Sequence, residues 1–407
     1  MRVVQKFGGT SVGSLDRIRA TASLVERSVR EGHETAVVVS AMSGETNRLI
    51  GMARELSDDP PARELDALVA TGEQVSAALL AIELNRRGIR ACSWTGAQAG
   101  FLTDSRHSRA RIQRIDSKRL LARLKAGEVP VLTGFQGVDE AGNITTLGRG
   151  GSDTSAVALA VALQADVCDI YTDVDGIYTT DPRIVPEARK IECISYEEML
   201  ELASQGAKVL QNRSVELAMR HGMPIHLRSS FEDVPGTLVT SEDETMERAS
   251  ITGVAYNRDE AKITIRGIPD HPGIASEVFG PIADADINVD VIVQNVSEEG
   301  TTDITFTVPR GDFGASMRIL EGVCRKMKAR DVKGDDTVAK VSIIGVGMRS
   351  HSGVARKMFA TLAAEGINIQ MITTSEIKIT VVVGENEVDR AVRALHAAFG
   401  LEKGAGE

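Results

Sequence analysis

Cysteine is scarce in this chain: Cys92, Cys168, Cys193 and Cys324 are the four among 407 residues. They lie far apart and form no Cys-x-x-Cys pair, which argues against a disulfide framework and against a thiolate zinc site. Aromatic residues make up 3%, too few for a stacking platform for single-stranded nucleic acid. Basic residues are outnumbered, 47 Lys and Arg against 57 Asp and Glu, for a net charge of −10. That balance disfavours a nucleic-acid or anionic-membrane partner. No apolar run approaches the roughly 20 residues that a bilayer span needs. The opening MRVVQKFGGTS passes straight from a strand-like run into glycines, without the apolar segment and cleavage site of an export signal. A cytoplasmic protein, with no nucleic-acid and no membrane partner, is expected. Familiar nucleotide and hydrolase motifs are missing too. There is no Gly-Lys dipeptide for a Walker A loop, and Gly345-Val346-Gly347 lacks the third glycine of a dinucleotide fingerprint. HExxH and GxSxG are absent, and the seven histidines are scattered without forming a catalytic group.

What is present is ordinary globular material, 42% apolar and 26% charged, enough for two or three domains. Over the first 240 or so residues, short apolar runs alternate with helix-like segments. Val3 to Phe7, Ala36 to Val39, Pro130 to Phe135, Val167 to Tyr171 and Ile225 to Leu227 read as strands. Ser14 to Glu31 (with Ser14 as N-cap), Leu65 to Arg87, Ser152 to Leu163 and Tyr196 to Ser204 read as helices. The alternation predicts an α/β fold, three layers with a mainly parallel sheet between helices, binding ligands beyond the carboxyl ends of its strands. A polar, acidic stretch at 241–248, SEDETMER, reads as a linker. Beyond it the chain repeats itself. Ala261 to Ile292 and Ala339 to Ile372 share strand, Gly-containing loop, Gly–apolar–Ala at a helix start, Phe in the helix and Ile–Asn–apolar opening a further strand. Two small βαβ-type, ferredoxin-like modules that pack together are expected. The boundaries read as 1–245, 246–335 and 336–407.

Three glycine-rich segments fall at predicted strand ends. Lys6-Phe7-Gly8-Gly9-Thr10-Ser11 offers backbone N–H groups, hydroxyls and a cation to an anion. Gly148-Arg149-Gly150-Gly151-Ser152-Asp153-Thr154 runs into a helix N-terminus, and Arg149 can hold a carboxylate with two parallel hydrogen bonds. Thr172-Asp173-Val174-Asp175-Gly176-Ile177-Tyr178, followed by Asp181-Pro182-Arg183, combines acidic, hydroxyl and aromatic groups around a turn.

With these segments in hand, the chain resembles the aspartokinases of the amino-acid-kinase superfamily. KFGGTS (6–11), SAMSGETN (40–47), TGEQVS (71–76), LGRGGSDTS (147–155) and TDVDGIYTTDPR (172–183) match that family's signatures in order, and the repeat is similar to its pair of ACT regulatory domains. The resemblance implies transfer of a phosphoryl group from ATP, with Mg2+ bound mainly through the nucleotide and no dedicated protein metal site, to the β-carboxylate of L-aspartate. It places the reaction first in aspartate-family amino-acid biosynthesis. It implies that Lys6, Arg149 and Asp153 are catalytic, Lys6 meeting the transferring group beside the Gly8 and Gly9 amides while Asp153 organises the lysines. Phe7, Thr172, Asp173, Tyr178, Arg183 and Lys208 would complete the ATP site. Ser40, Thr46, Glu73, Arg149, Gly150 and Ser152 would hold aspartate, Glu73 pairing its α-ammonium.

In the first copy of the repeat, Asp270, Gly273, Ile274 and Ala275 form a loop into a helix start with a carboxylate for an ammonium, and Asn288 and Gln294 flank the next strand; in the second copy, Asn368, Ile369, Ser375 and Glu376 match positions the family uses for inhibitors. Lysine, threonine or both are the implied effectors, with modules pairing across a homodimer or higher oligomer. An internal start at Met246, giving a shorter regulatory chain, stays open. So do a degenerate amino-acid sensor without turnover and a sister kinase acting on glutamate, acetylglutamate or UMP, the last disfavoured by the repeat.

Overall fold

The computed structural model describes residues 1–205, 209–242, 251–296, 300–349 and 353–403. Lys208 and Met246 lie outside the described residues. Two units divide the chain. The first takes Met1–Tyr178, Lys190–Ser204 and 209–242; the second takes Thr179–Arg189, Gln205 and the described residues from 251 onward.

In the first unit the apolar, β-branched runs become the middle of an eight-stranded sheet. Its order is Cys193–Ser195, Thr237–Thr240, Ile225–Ser229, Val167–Thr172, Arg2–Phe7, Glu34–Val39, Val129–Thr133 and Ala91–Trp94. All neighbours pair in parallel except Ile225–Ser229 with Thr237–Thr240. Strands buried on both faces need apolar residues throughout, and Ala36 to Val39 are fully buried. Helix Leu15–Arg30 starts where predicted, with Ser14 Oγ accepting from the Arg17 N–H at 3.2 Å. It packs with helix Thr71–Arg86 against one face of the sheet, where Phe7, Val25, Val37, Leu80, Leu84 and Val131 form a shared core. Helix Gly151–Leu163 contacts the strands Arg2–Phe7, Glu34–Val39 and Val167–Thr172 and is buried over most of its length.

The helix expected over Leu65 to Arg87 is two helices, Ala62–Val69 and Thr71–Arg86, meeting at Ala70. By length and mean hydropathy (1.4 over 18 residues) the stretch Ala62–Arg86 could cross a bilayer, yet half of that window is buried. It carries the buried carboxylates of Asp66, Glu73 and Glu83 and serves as a core element. A small sheet that sequence periodicity did not reveal, ordered Ile112–Ile115, Phe101–Thr103, Gln136–Val138 and Ile144–Thr146, leads into the Gly148–Gly151 loop.

The second unit is one six-stranded antiparallel sheet, ordered Ile292–Val296, Thr301–Val308, Gly253–Pro269, Asp331–Ile344, Lys378–Gly384 and Met371–Thr374. The repeat is real in space: Gly273 (φ +99°) and Gly353 (φ +94°) cap helices Ile274–Asp284 and Val354–Ala364 in the same left-handed conformation, which favours glycine. The modules have separate cores, one around Ile263, Val278, Phe306 and Leu320, the other around Val341, Met358, Val381 and Leu395.

Two boundaries differ from a linear reading. Gly253–Asn257 pairs with Lys340–Ile344, and Val254 packs in the second module's core, so residues ahead of the first repeat complete the second. Thr179–Arg189, part of the TDVDGIYTTDPR segment, belongs to the second unit because Val185, with Ile184 and Ala188 against it, joins that same core.

Candidate active site

In the first unit the parallel strands end at a cleft of about 310 Å3 lined by Lys6, Gly9, Ser40, Thr46, Glu73, Arg149, Gly150, Ser152 and Asp153. Four sequence-distant motifs are thereby brought together, along with Ala41 to Gly44, Phe135, Gly148, Gly151 and Gln211. Lys6 leaves the first strand one residue before its end, and its Nζ lies 2.6 Å from Asp153 Oδ1. Both side chains are about nine-tenths buried, so the pair is held in a low-dielectric setting where each charge depends on the other.

Gly150 adopts φ +70° and caps helix Gly151–Leu163 without a side-chain hydrogen bond. The N–H groups of Ser152 and Asp153 meet no acceptor among the described residues, so the helix start presents free donors and a positive dipole end to the cleft. A Cβ at Gly9 would lie 2.9 Å from the Ala41 carbonyl oxygen, and one at Gly134 would lie 2.8 Å from Ser152; these glycines let the loops close in.

Glu73 supplies the opposite charge. It is 3% exposed; Oε1 accepts from the Ala41 N–H at 3.2 Å, while Oε2 is buried without a partner. Burial pushes its carboxyl up to about 7, against the pull of backbone hydrogen bonds. An unpartnered buried carboxylate oxygen in a cleft fits a cationic ligand group.

The ATP-site candidates divide. Thr172, Asp173 and Tyr178 gather beyond the neighbouring strand Val167–Thr172. Thr172 Oγ1 donates to Asp173 Oδ1 at 3.1 Å, Tyr178 OH donates to Asp175 at 3.1 Å, and Lys190 Nζ stands 3.2 Å from Asp175. The first glycine loop is stitched to this end: Gly8 N–H donates to Tyr171 O at 3.2 Å, and Ser11 Oγ lies 2.8 Å from Ser230 Oγ.

The structure adds detail to several of these candidates. Phe7 is fully buried and stacks on Tyr171 at 4.7 Å between centroids; its ring belongs to the core because strand alternation points it away from the cleft. The Gly8 N–H is already committed to Tyr171, leaving those of Gly9 and Thr10 without an acceptor among the described residues. Arg183 sits in the second unit, its guanidinium on Asp181 at 2.7 Å, and Asp181 also accepts from Tyr256 OH at 2.9 Å.

Gln211, missed by the sequence reading, lines the cleft directly ahead of helix Asn212–His221; its chemistry gave no signal. Asp66 was missed too. Buried in an otherwise amphipathic helix, it accepts from the Ser108 N–H (2.9 Å), the Thr146 N–H (3.0 Å) and Thr146 Oγ1 (2.6 Å), fixing the strand that leads to Gly148 and Arg149.

The effector candidates lie in the second unit. Asp270, Gly273, Ala275, Asn288, Gln294, Asn368, Ser375 and Glu376 are exposed. Ile274 is buried in the first module's core, so its side chain is unavailable to a ligand, and its N–H donates to His271 O. Ile369 packs against the second core, and Glu376 faces Arg349 at 3.5 Å. Gln294 lies on one edge strand, whereas Asn368, Ile369 and Ser375 flank the opposite edge strand. The sheet is not flat between them: Val291 and Val293 share a core cluster with Val338, Val382 and, on the opposite edge strand, Met371.

Against known proteins, residues 1–229 match the model of the amino acid kinase family, and residues 263–325 and 341–399 match ACT domain models. An aspartate kinase of Stutzerimonas stutzeri is 58% identical over 405 residues, spanning 99% of this chain and 98% of that one. The aspartokinase of Mycobacterium tuberculosis is 50% identical over 404 residues, 98% of this chain and 96% of that one. Among solved structures, Escherichia coli aspartokinase III in complex with aspartate and ADP matches with a TM-score of 0.80 at 29% identity, covering 98% of this chain and 99% of that one. The same enzyme in complex with lysine and aspartate gives a TM-score of 0.78 at 29% identity, with the same coverage. With a kinase region and two ACT domains matched in order over nearly its whole length, this chain belongs to the aspartokinases of the amino acid kinase family.

Proposed function

We propose that this aspartokinase transfers the γ-phosphoryl group of ATP to the β-carboxylate of L-aspartate, the opening step of aspartate-family amino-acid synthesis, under feedback by lysine, threonine or both. The observation that carries the reading is one cleft holding a buried Lys6–Asp153 pair, free helix-start donors and the unpartnered oxygen of Glu73. A substrate with one ammonium and two carboxylates satisfies that set: the ammonium on Glu73, one carboxylate on Arg149 and Ser152, with Ser40 and Thr46 closing around it.

The β-carboxylate has an ordinary pKa near 3.9, so it is ionised at neutral pH and needs no general base. One of its oxygens attacks the γ-phosphorus, the bond from phosphorus to the bridging oxygen breaks, and ADP leaves with that electron pair. The barrier is repulsion between anions, and the chain's contribution is positioning and fixed positive charge. Lys6, oriented by Asp153, meets charge developing on the transferring group, and the Gly9 amide and helix-start donors add to it. Thr172, Asp173 and Tyr178 hold the nucleotide beyond the neighbouring strand end, and Lys208, outside the described residues, is kept as a phosphate-binding candidate from the resemblance alone.

No three His, Cys, Asp or Glu side chains converge among the described residues, and the cleft carboxylates are engaged by Lys6 and by Ala41. This donor set fits a Mg2+ that would arrive on the phosphates and would supply neutralisation of charge there. Effectors bind the ACT modules. The two candidate sets lie one in each module, and pairing of modules between chains brings further copies of both together. Exposed Ile292 and Ile372 on the two edge strands support edge pairing in a homodimer or higher oligomer.

The test is a coupled ADP-release assay with ATP and Mg2+, with and without aspartate, then with lysine and threonine singly and together. Aspartate-dependent turnover that the effectors lower supports the proposal. Effector binding without turnover leaves an amino-acid sensor instead.

A further inference from the structure

A second, larger cleft of about 930 Å3 lies in the first unit, and none of its lining residues belongs to the cleft described above. Its rim carries Arg106, Arg109, Arg111, Arg114, Arg213 and Arg220, opposed by Glu216 as the one carboxylate among its lining residues. In a chain of net charge −10, six guanidiniums around one hollow repel each other, and only part of that cost has a structural return. Arg213 does have one: its guanidinium donates to Leu147 O and Ala110 O, both at 2.8 Å. Burial, together with the nearby Arg111 charge, lowers its pKa. The guanidiniums of Arg106, Arg111, Arg114 and Arg220 meet no acceptor among the described residues. Asp104, the nearest other carboxylate on this hairpin, uses Oδ1 to accept from the backbone N–H groups of Arg106 and Arg111.

The floor is different in character. Ala158, Val161 and Ala162, at helical spacing on Gly151–Leu163, face Ile112 and Leu217. Apolar floor, cationic rim and this volume are those of a small-molecule site. A concave wall of one sign focuses the field on an anion, and guanidinium forks match phosphate oxygens. The geometry points to a binding site for a small organic polyanion with two or more phosphate groups, separate from the nucleotide and aspartate site. The two clefts share one helix: residues 151–153 line the first and Thr154, Ala158 and Val161 the second. Gln211 lines the first and its neighbours Asn212 and Arg213 the second. An anion bound there therefore bears on the loop that carries Arg149.

The probe is inorganic tripolyphosphate, titrated calorimetrically into the full-length chain with the first cleft saturated by aspartate and a Mg2+-bound non-hydrolysable ATP analogue. One site per chain, persisting at 0.15 M salt (where long-range attraction is screened beyond about 8 Å), is expected. R111A/R114A should weaken it at least tenfold, while R54A/K125A, with the same charge change elsewhere, should not. Both double variants should melt within a degree or two of the parent. Binding that is unchanged in R111A/R114A, or equally weakened in R54A/K125A, overturns the proposal, as does absence of a stoichiometric site. A concentration-dependent oligomer that R111A/R114A abolishes would overturn it too, by showing that a second copy occupies the cleft.

Discussion

Titrating Glu73 tests the substrate site through its least ordinary feature. The carboxyl is 3% exposed and sits near 7, against an ordinary 4.5, because burial disfavours its charged form. Aspartate's ammonium needs the ionised form, so the apparent dissociation constant should scale as one plus the ratio of protonated to ionised Glu73. At pH 8 that factor is close to one; at pH 6 it is about 11, and at pH 5.5 about 30. Binding below pH 7 should also release a proton, since the ammonium pulls the carboxyl back down.

E73Q removes a charge-assisted hydrogen bond worth about 2 kcal/mol, roughly 30-fold in affinity at pH 8, and leaves a flat pH profile. The two proteins should therefore converge near pH 5.5. Stability should move oppositely. With the folded pKa raised, the ligand-free chain binds more protons folded than unfolded between about 4.5 and 7. The stabilisation is full below 4.5 and is lost as pH rises through 7, by about 3 kcal/mol in all. Ligand-free E73Q should thus gain on the wild type at pH 8 and not at pH 4.5. Calorimetry of aspartate binding in two buffers of different ionisation enthalpy, with melting curves at each pH, measures both. An aspartate affinity that is independent of pH in the wild type, or unchanged by E73Q at pH 8, refutes the reasoning.

K6A should lower kcat about a hundredfold, roughly 3 kcal/mol, with a much smaller change in aspartate binding, because Lys6 meets charge formed during transfer; turnover within threefold of wild type in steady-state assays would contradict this. D270A and S375A should shift the inhibitory concentration of lysine or threonine by about 5- to 150-fold while uninhibited turnover stays near wild type, read from effector titrations at saturating ATP. Buried His396 has its Nε2 2.9 Å from Thr179 Oγ1, and its pKa is lowered by burial against the opposing pull of Glu402 and Glu187. Its stabilising contribution to the second unit is therefore present above about pH 6.5 and lost as pH falls through the depressed value; hydrogen exchange on helix Val388–Ala398 should show that slope, and H396Q should flatten it.

Much of this was legible in the residues because strong local signals agreed with the fold. Val3 to Phe7 and Ala36 to Val39 are apolar on both faces, as central parallel strands must be, and Ser14 announced its helix. The paired glycines 273 and 353 marked a duplication that the sheet confirms. The motif glycines led to the cleft because close backbone approach leaves a residue signature. Less legible was anything decided by which way a residue points. Phe7 and Ile274 lie inside glycine-rich motifs yet turn into cores, and neighbours in sequence could not reveal that. The pairing of Gly253–Asn257 with Lys340–Ile344 and the placement of Thr179–Arg189 arise from long-range contacts that periodicity does not encode. Gln211 carries no local pattern, and the arginine cleft only half of one: Arg106, Arg109, Arg111 and Arg114 are close in sequence, but Arg213 and Arg220 join them only after the small sheet and helix Asn212–His221 assemble.

The central claim is that this chain makes an acyl phosphate on aspartate. The direct measurement is to incubate it with ATP, Mg2+ and aspartate, trap the product with hydroxylamine, and quantify hydroxamate against ADP. The account predicts aspartyl hydroxamate equal in amount to the ADP released, absent without aspartate and reduced about a hundredfold in K6A. ADP release that continues without aspartate, or aspartate-dependent ADP release with no hydroxamate, would contradict it.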